Sequence, residues 1–151
     1  MLFSTVSEMT TIKNFLEGER IYQAGESSRG AYIIETGRVN LYTDMEFHLV
    51  TLGEGELFGE LGQIIDEQRS VTAIAKTDCQ LKHIPQYILD DKFNAADPAI
   101  VGMFRAQAIR LRKANEQKVQ MWNKIEILRA NMKALEAELD KMWSGLKIYS
   151  W

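Results

Sequence analysis

The sequence predicts an α+β protein in which an antiparallel β-roll of the jelly-roll kind, with short flanking helices, precedes one long coiled-coil helix. Three observations carry that expectation. Over residues 18–84 short apolar–polar alternations are punctuated by glycines. Neither glycine nor proline occurs between positions 103 and 143. Beyond Met121, apolar residues recur in steps of four and three.

Taken in order, residues 1–14 carry a weak helical pattern. Ser7 or Thr10 would cap a short helix through Leu16, with Met9, Ile12 and Phe15 on one face. The period then changes to two. Ile21, Tyr32-Ile33-Ile34, Val39-Asn40-Leu41-Tyr42, His48-Leu49-Val50-Thr51-Leu52, Val71-Thr72-Ala73-Ile74-Ala75 and Gln80-Leu81-Lys82-His83-Ile84 read as strands. Gly25, Gly30, Gly37, Gly53 and Gly55 mark the turns between them. Pro85 and Pro98 bracket a small helix over 86–94.

Asp97-Pro98 reads as an N-cap followed by proline at the first helical position. A helix over 99–143 would be about 68 Å long, too long to lie on one small domain. Met121, Ile125, Leu128, Met132, Leu135, Leu139, Met142 and Leu146 form an a/d heptad seam, and the register runs back through Lys118, Ala114 and Leu111. The seam predicts a homodimer or higher homo-oligomer; the competing reading folds this helix back on its own domain. Trp122 and Trp143 fall at e positions and widen the apolar face. Lys124 at g would face Arg129 at e in a parallel dimer, so more than two strands remain compatible with the pattern. The expected organisation is a β-roll with flanking helices at 1–98, the long helix at 99–146 and a tail at 147–151.

Composition narrows the function classes. The chain has 151 residues, 46% of them apolar, enough for one ordinary core. The net charge of −3 divides unevenly: residues 1–98 carry 8 basic and 16 acidic side chains, and residues 99–151 carry 10 and 5. Basic side chains at Arg105, Arg110, Arg112, Lys113 and Lys118 point around the helix, not down one face, which predicts a solvated surface without nucleic-acid or membrane partners. The single cysteine, Cys79, excludes an internal disulfide and reads as a core thiol. His48 and His83 are too few for a jelly-roll metal site and read as strand-surface residues, so no metal is expected. No uninterrupted apolar run suggests a signal peptide or a membrane span, and the expected compartment is the cytoplasm.

The chemistry concentrates between Leu57 and Ala73. Gly59-Glu60 opens a short helical turn, and Arg69-Ser70 follows at the head of a strand. Amides at a helix start and a guanidinium both suit a phosphate. A carboxylate beside them would repel that phosphate, so Glu60 must address another part of the ligand, most simply a ribose hydroxyl. The bland alternative is a Glu60–Arg69 salt bridge tying loop to strand.

Phe58-Gly59-Glu60-Leu61 followed at this spacing by Arg69-Ser70 resembles the phosphate-binding cassette of cyclic nucleotide-binding domains. The resemblance extends through Phe15-Leu16-Glu17-Gly18-Glu19, Ala24-Gly25-Glu26, Ala31-Tyr32-Ile33-Ile34-Glu35-Thr36-Gly37-Arg38-Val39 and Leu52-Gly53-Glu54-Gly55-Glu56, and fades after Phe93. It implies a ligand site at Phe58, Gly59, Glu60, Leu61, Gly62, Arg69, Ser70 and Val71. Glu60 would take the ribose 2′-hydroxyl, and Arg69 the cyclic phosphate with Ser70 and the amides of Gly59 to Gly62. The implied ligand is cyclic AMP first and cyclic GMP second, since Ser70 is placed to read a guanine; no other cofactor is implied. Gln63, Gln68 and Val71 depart from the family's usual apolar residue, proline and alanine. The resemblance further implies a non-enzymatic sensor whose long helix closes over the ligand. The family's transcription factors carry a helix-turn-helix after that helix, and residues 146–151 are too few for one. The competing function is a structural oligomerisation protein with a degenerate, non-binding roll. The downstream protein partner is not legible.

Overall fold

The computed structural model describes residues 10–64 and 67–147. Among the described residues, eight strands form two antiparallel sheets. In the first, β1 (Thr11–Phe15), β8 (Cys79–Pro85), β3 (Gly30–Thr36) and β6 (Leu57–Phe58) lie in that order. In the second, the order is β2 (Arg20–Tyr22), β7 (Thr72–Ala75), β4 (Val39–Tyr42) and β5 (His48–Leu52). This is the predicted β-roll.

The inward residues of both sheets make one core. Tyr22, Tyr32, Ile34, Val39, Phe58, Ala73, Ala75, Cys79 and Leu81 are buried together, with Phe15, Ile21, Leu41, Leu52 and Val71 packed against them. Alternation explains which side chains enter, because Tyr32 and Ile34 on β3, like Cys79 and Leu81 on β8, stand two apart on a period-two strand. Cys79 is the expected core thiol, and its Sγ donates to the Arg38 carbonyl at 3.0 Å.

The N-terminal expectation is corrected. Thr11–Phe15 is not the end of a helix but a strand paired with β8, from Thr11 opposite His83 to Phe15 opposite Cys79. Ile12 and Phe15 are three apart and fit a helical face in isolation. Five consecutive ladder positions on β8 outweigh that local signal, and Ile12 stays exposed while Phe15 meets the core. Ser7 and Met9 lie outside the described residues. The two-residue β6 also went unpredicted, being too short to show a period.

Helix α1 (Leu61–Ile64) is a single turn after β6, and α2 (Gln86–Ala95) follows β8 and packs on β3 and β8. Helix α3 (Pro98–Lys147) starts where predicted: Asp97 Oδ1 accepts the Ala99 amide at 2.8 Å. The Phe93 and Phe104 rings meet edge to face at 6.3 Å, joining α2 to the first turns of α3. The chain resolves into two compact units, residues 1–115 and 116–151. In the second unit, the seam residues from Met121 to Met142 are exposed on the single chain.

Candidate functional site

The loop from β6 through α1 to β7 is anchored at both ends. Phe58 is 2% exposed, and its ring lies 5.4 Å from that of Tyr32 and 6.0 Å from that of Tyr22. It therefore anchors the loop in the core. Gly59 follows at φ +80°, where a Cβ would stand 2.6 Å from Arg69 Nη1. Only glycine permits that backbone and that approach together. The Gly62 carbonyl accepts the Glu67 amide at 2.7 Å, and a Cβ on Gly62 would meet the Glu67 carbonyl oxygen at 2.6 Å, so this glycine closes the return leg. Arg69 is then clamped by its backbone, donating to the Glu26 carbonyl and accepting from the Gly25 amide, both at 2.9 Å.

Arg69 is 6% exposed. Its Nη1 donates to the Gly59 carbonyl and its Nη2 to the Gly30 carbonyl at 2.7 Å. The guanidinium carbon sits 4.2 Å from the centroid of the Tyr22 ring, a cation–π contact. Nε is buried without a hydrogen-bond partner among the described residues. The simple salt bridge is thus not the arrangement adopted: both terminal nitrogens go to neutral carbonyls, not to Glu60. Glu60 is half-buried. Burial pushes its carboxyl above the usual carboxylate range, against its own backbone amide and the charge of Arg69, which both lower it. Two opposite charges are thus held in one loop, Arg69 buried and Glu60 half-buried, and not directly paired.

Leu61, Ser70 and Val71 are half-buried, and Val71 packs against the core. Thr72 Oγ1 accepts the Ala24 amide at 3.1 Å, tying β7 to the turn after β2. Gln68 is exposed beside the return leg. The side chain of Gln63 lies outside the described residues.

Arg69 opens onto a cavity of about 540 Å³ whose lining includes Tyr22, Tyr32, Lys13, Arg29 and His83. The last three were not anticipated. His83 is not a plain strand-surface residue: it continues the inward positions Cys79 and Leu81, and its ring lies 4.9 Å from that of Tyr32. Burial lowers the His83 pKa and Lys13 lowers it further, while a hydrogen bond to the Arg29 backbone raises it. Period two along β8 was the available signal, but it says nothing about Lys13 or Arg29, which arrive from other segments. A second cavity, also about 540 Å³, lies behind the cassette between Ser28, Gly62, Gln68 and Arg112. On its rim Arg112 of α3 forms an ion pair with Glu67. No group of three or more metal-ligating side chains occurs among the described residues.

Of the seam, Leu111, Met121, Ile125, Leu128, Met132, Leu135, Leu139 and Met142 are all exposed. Arg129 Nη1 reaches Glu126 Oε1 at 3.0 Å within the same helix, which tempers the repulsion expected from Lys124 across a parallel pair.

Comparison with known proteins identifies the family. The family model described as "Cyclic nucleotide-binding domain" matches residues 12–95, from β1 to the end of α2. The cAMP-dependent protein kinase regulatory subunit of Eremothecium gossypii is 38% identical over 65 residues, which are 43% of this chain and 14% of that protein. Among solved structures, the EAL enzyme Bd1971 in its cAMP-bound form superposes with a TM-score of 0.67 at 27% identity, covering 85% of this chain and 34% of that one. Its cGMP-bound form gives 0.65 at 29% identity, covering 76% and 32%. The chain therefore spans about a third or less of each of these relatives. With the family model matching over half of the sequence, and across the strands and cassette just described, the chain belongs to the cyclic nucleotide-binding domain family.

Proposed function

We propose that this chain is a non-enzymatic cyclic nucleotide sensor that self-associates through α3. The carrying observation is the pair of unjoined charges in the cassette: a buried Arg69 held only by carbonyls and a ring, and a half-buried Glu60 with a raised pKa. Such an arrangement costs the free protein stability and gains when a ligand supplies the missing partners. A cyclic phosphate would draw the Arg69 guanidinium from its neutral carbonyl acceptors into a charge-assisted pair. A ribose 2′-hydroxyl would donate to Glu60 and favour its ionised form. Ser70 and the amides from Gly59 to Gly62 would complete the phosphate's surroundings. Cyclic AMP is the first ligand, in keeping with the relatives whose names specify it, and cyclic GMP the second.

The seam on α3 supports a homodimer or higher homo-oligomer, since a single chain leaves its a and d side chains in water. Among the described residues no helix is long and apolar enough to cross a membrane. The cytoplasm is the proposed compartment. A second reading, a structural protein whose roll has lost its ligand, is favoured by one fact: the terminal nitrogens of Arg69 already have acceptors. Calorimetric titration of nucleotide-stripped protein with cyclic AMP and cyclic GMP separates the two. Saturable binding of either supports the sensor, and no heat at millimolar ligand supports the structural reading.

A further inference from the structure

The cavity facing Arg69 gathers basic side chains from four separate segments. Lys13 comes from β1, Arg29 from the turn before β3, Arg69 from the head of β7 and His83 from β8. Among the described residues, Glu26 is the one acid in its lining. Lys13 and Arg29 are exposed at the rim, and neither joins an ion pair among the described residues. Lys13 Nζ lies 5.8 Å from the centroid of the Tyr32 ring, so it stands over the wall that also carries His83. One buried nitrogen here, Arg69 Nε, lacks a hydrogen-bond partner among the described residues. Buried donors and acceptors are nearly always satisfied, and a group left open on a cavity wall points to a polar ligand. The volume is in the range of small-ligand sites.

A cyclic phosphodiester brings one negative charge, which Arg69 alone would meet. The rim cations exceed that requirement. We infer that Lys13, Arg29 and His83 form a second anion subsite beside Arg69, and that the cavity accepts nucleotides carrying a phosphomonoester or diphosphate group. A phosphomonoester carries about −1.5 to −2 at neutral pH, and a diphosphate more. Its extra charge reaches the rim while the first is held at depth. Tyr22 and Tyr32, both buried in the cavity wall, border this space and leave its polar side to the cations and Glu26. The subsite goes beyond the cyclic nucleotide reading and shares only Arg69 with it.

The test titrates nucleotide-stripped full chain with cyclic AMP, 5′-AMP and inorganic pyrophosphate, and repeats the set with the double variant Lys13→Gln/Arg29→Gln. Both positions are exposed, so the variant should melt as the parent does. The parent should bind 5′-AMP and pyrophosphate with affinities that weaken steeply with salt. In the variant, affinity for 5′-AMP relative to cyclic AMP should fall about tenfold, the scale of losing charge-assisted contacts. His83→Gln should lower the same ratio at pH 6 more than at pH 8, because an anion beside the imidazole favours its protonated form. Absence of 5′-AMP and pyrophosphate binding at millimolar concentration overturns the subsite. So does an equal loss for all three ligands, which would mark a general surface field. Retained 5′-AMP binding without cyclic AMP binding would instead sink the proposed function and leave the subsite standing.

Discussion

Replacing Arg69 with alanine probes the candidate site at its centre. In the free protein the guanidinium makes two hydrogen bonds to carbonyls and one contact on the Tyr22 ring. Losing these costs about 1–1.5 kcal/mol for each hydrogen bond and about 1 kcal/mol for the ring contact. Removing a charge that is 6% exposed and has no carboxylate partner returns part of that cost. The net change in stability should therefore be small, within about 2 kcal/mol, and the roll should stay folded. Binding should change far more, because the same substitution strands the ligand's phosphate in a partly desolvated site. The expected loss is about 2–4 kcal/mol, roughly thirtyfold to a thousandfold in Kd. Calorimetry with cyclic AMP reads the affinity, and thermal melting of the same samples confirms the fold. Unchanged affinity in a folded Arg69→Ala variant would refute the assignment of the phosphate to Arg69.

Glu60→Gln should weaken binding of cyclic AMP by roughly 1–2 kcal/mol and leave a 2′-deoxy analogue unaffected, and equal losses for both would make Glu60 structural. The same variant has a pH signature. A folded-state pKa raised by burial means the native protein holds more protons than the unfolded one above the ordinary carboxylate range, so Glu60 costs stability as pH rises through that window. The melting temperature of Glu60→Gln minus that of the parent should therefore grow from pH 4 to pH 7, and a constant difference would contradict the burial of the charge. Gly59→Ala should destabilise the roll by about 1–3 kcal/mol in urea melts, since its φ of +80° is strained for alanine and its Cβ displaces Arg69; an unchanged midpoint would show that the turn relaxes freely. Leu128→Asp with Leu135→Asp, at consecutive d positions, should turn an oligomer into a monomer with an intact roll in sedimentation, and a parent already monomeric at micromolar concentration would refute the seam.

How much of this was legible in the sequence depended on how local the signal was. β4 and β5 fell where alternation put them, at Val39–Tyr42 and His48–Leu52. The cap of α3 was visible because Asp97 and Pro98 are adjacent to the turn they start. The approach of Arg69 to Gly59 was legible for the same reason, because both lie on one loop. β1 was misread because its ladder partner, β8, lies far along the chain, and only that partner distinguishes a strand from a helical turn at Ile12 and Phe15. Lys13, Arg29 and His83 were missed as a group on the same grounds. Tyr32 stands opposite His83, and Lys13 opposite Leu81, only once the sheet is formed. The bond of Arg69 to the Gly30 carbonyl likewise depends on that assembly.

A structure of the complex with cyclic AMP tests the central claim most directly. The account predicts a phosphate oxygen within about 3 Å of the Arg69 guanidinium and the ribose 2′-hydroxyl on the Glu60 carboxylate. It also predicts that at least one of the Arg69 bonds to Gly59 and Gly30 is given up to make that contact. A nucleotide bound elsewhere, with Arg69 still donating to both carbonyls, would contradict it.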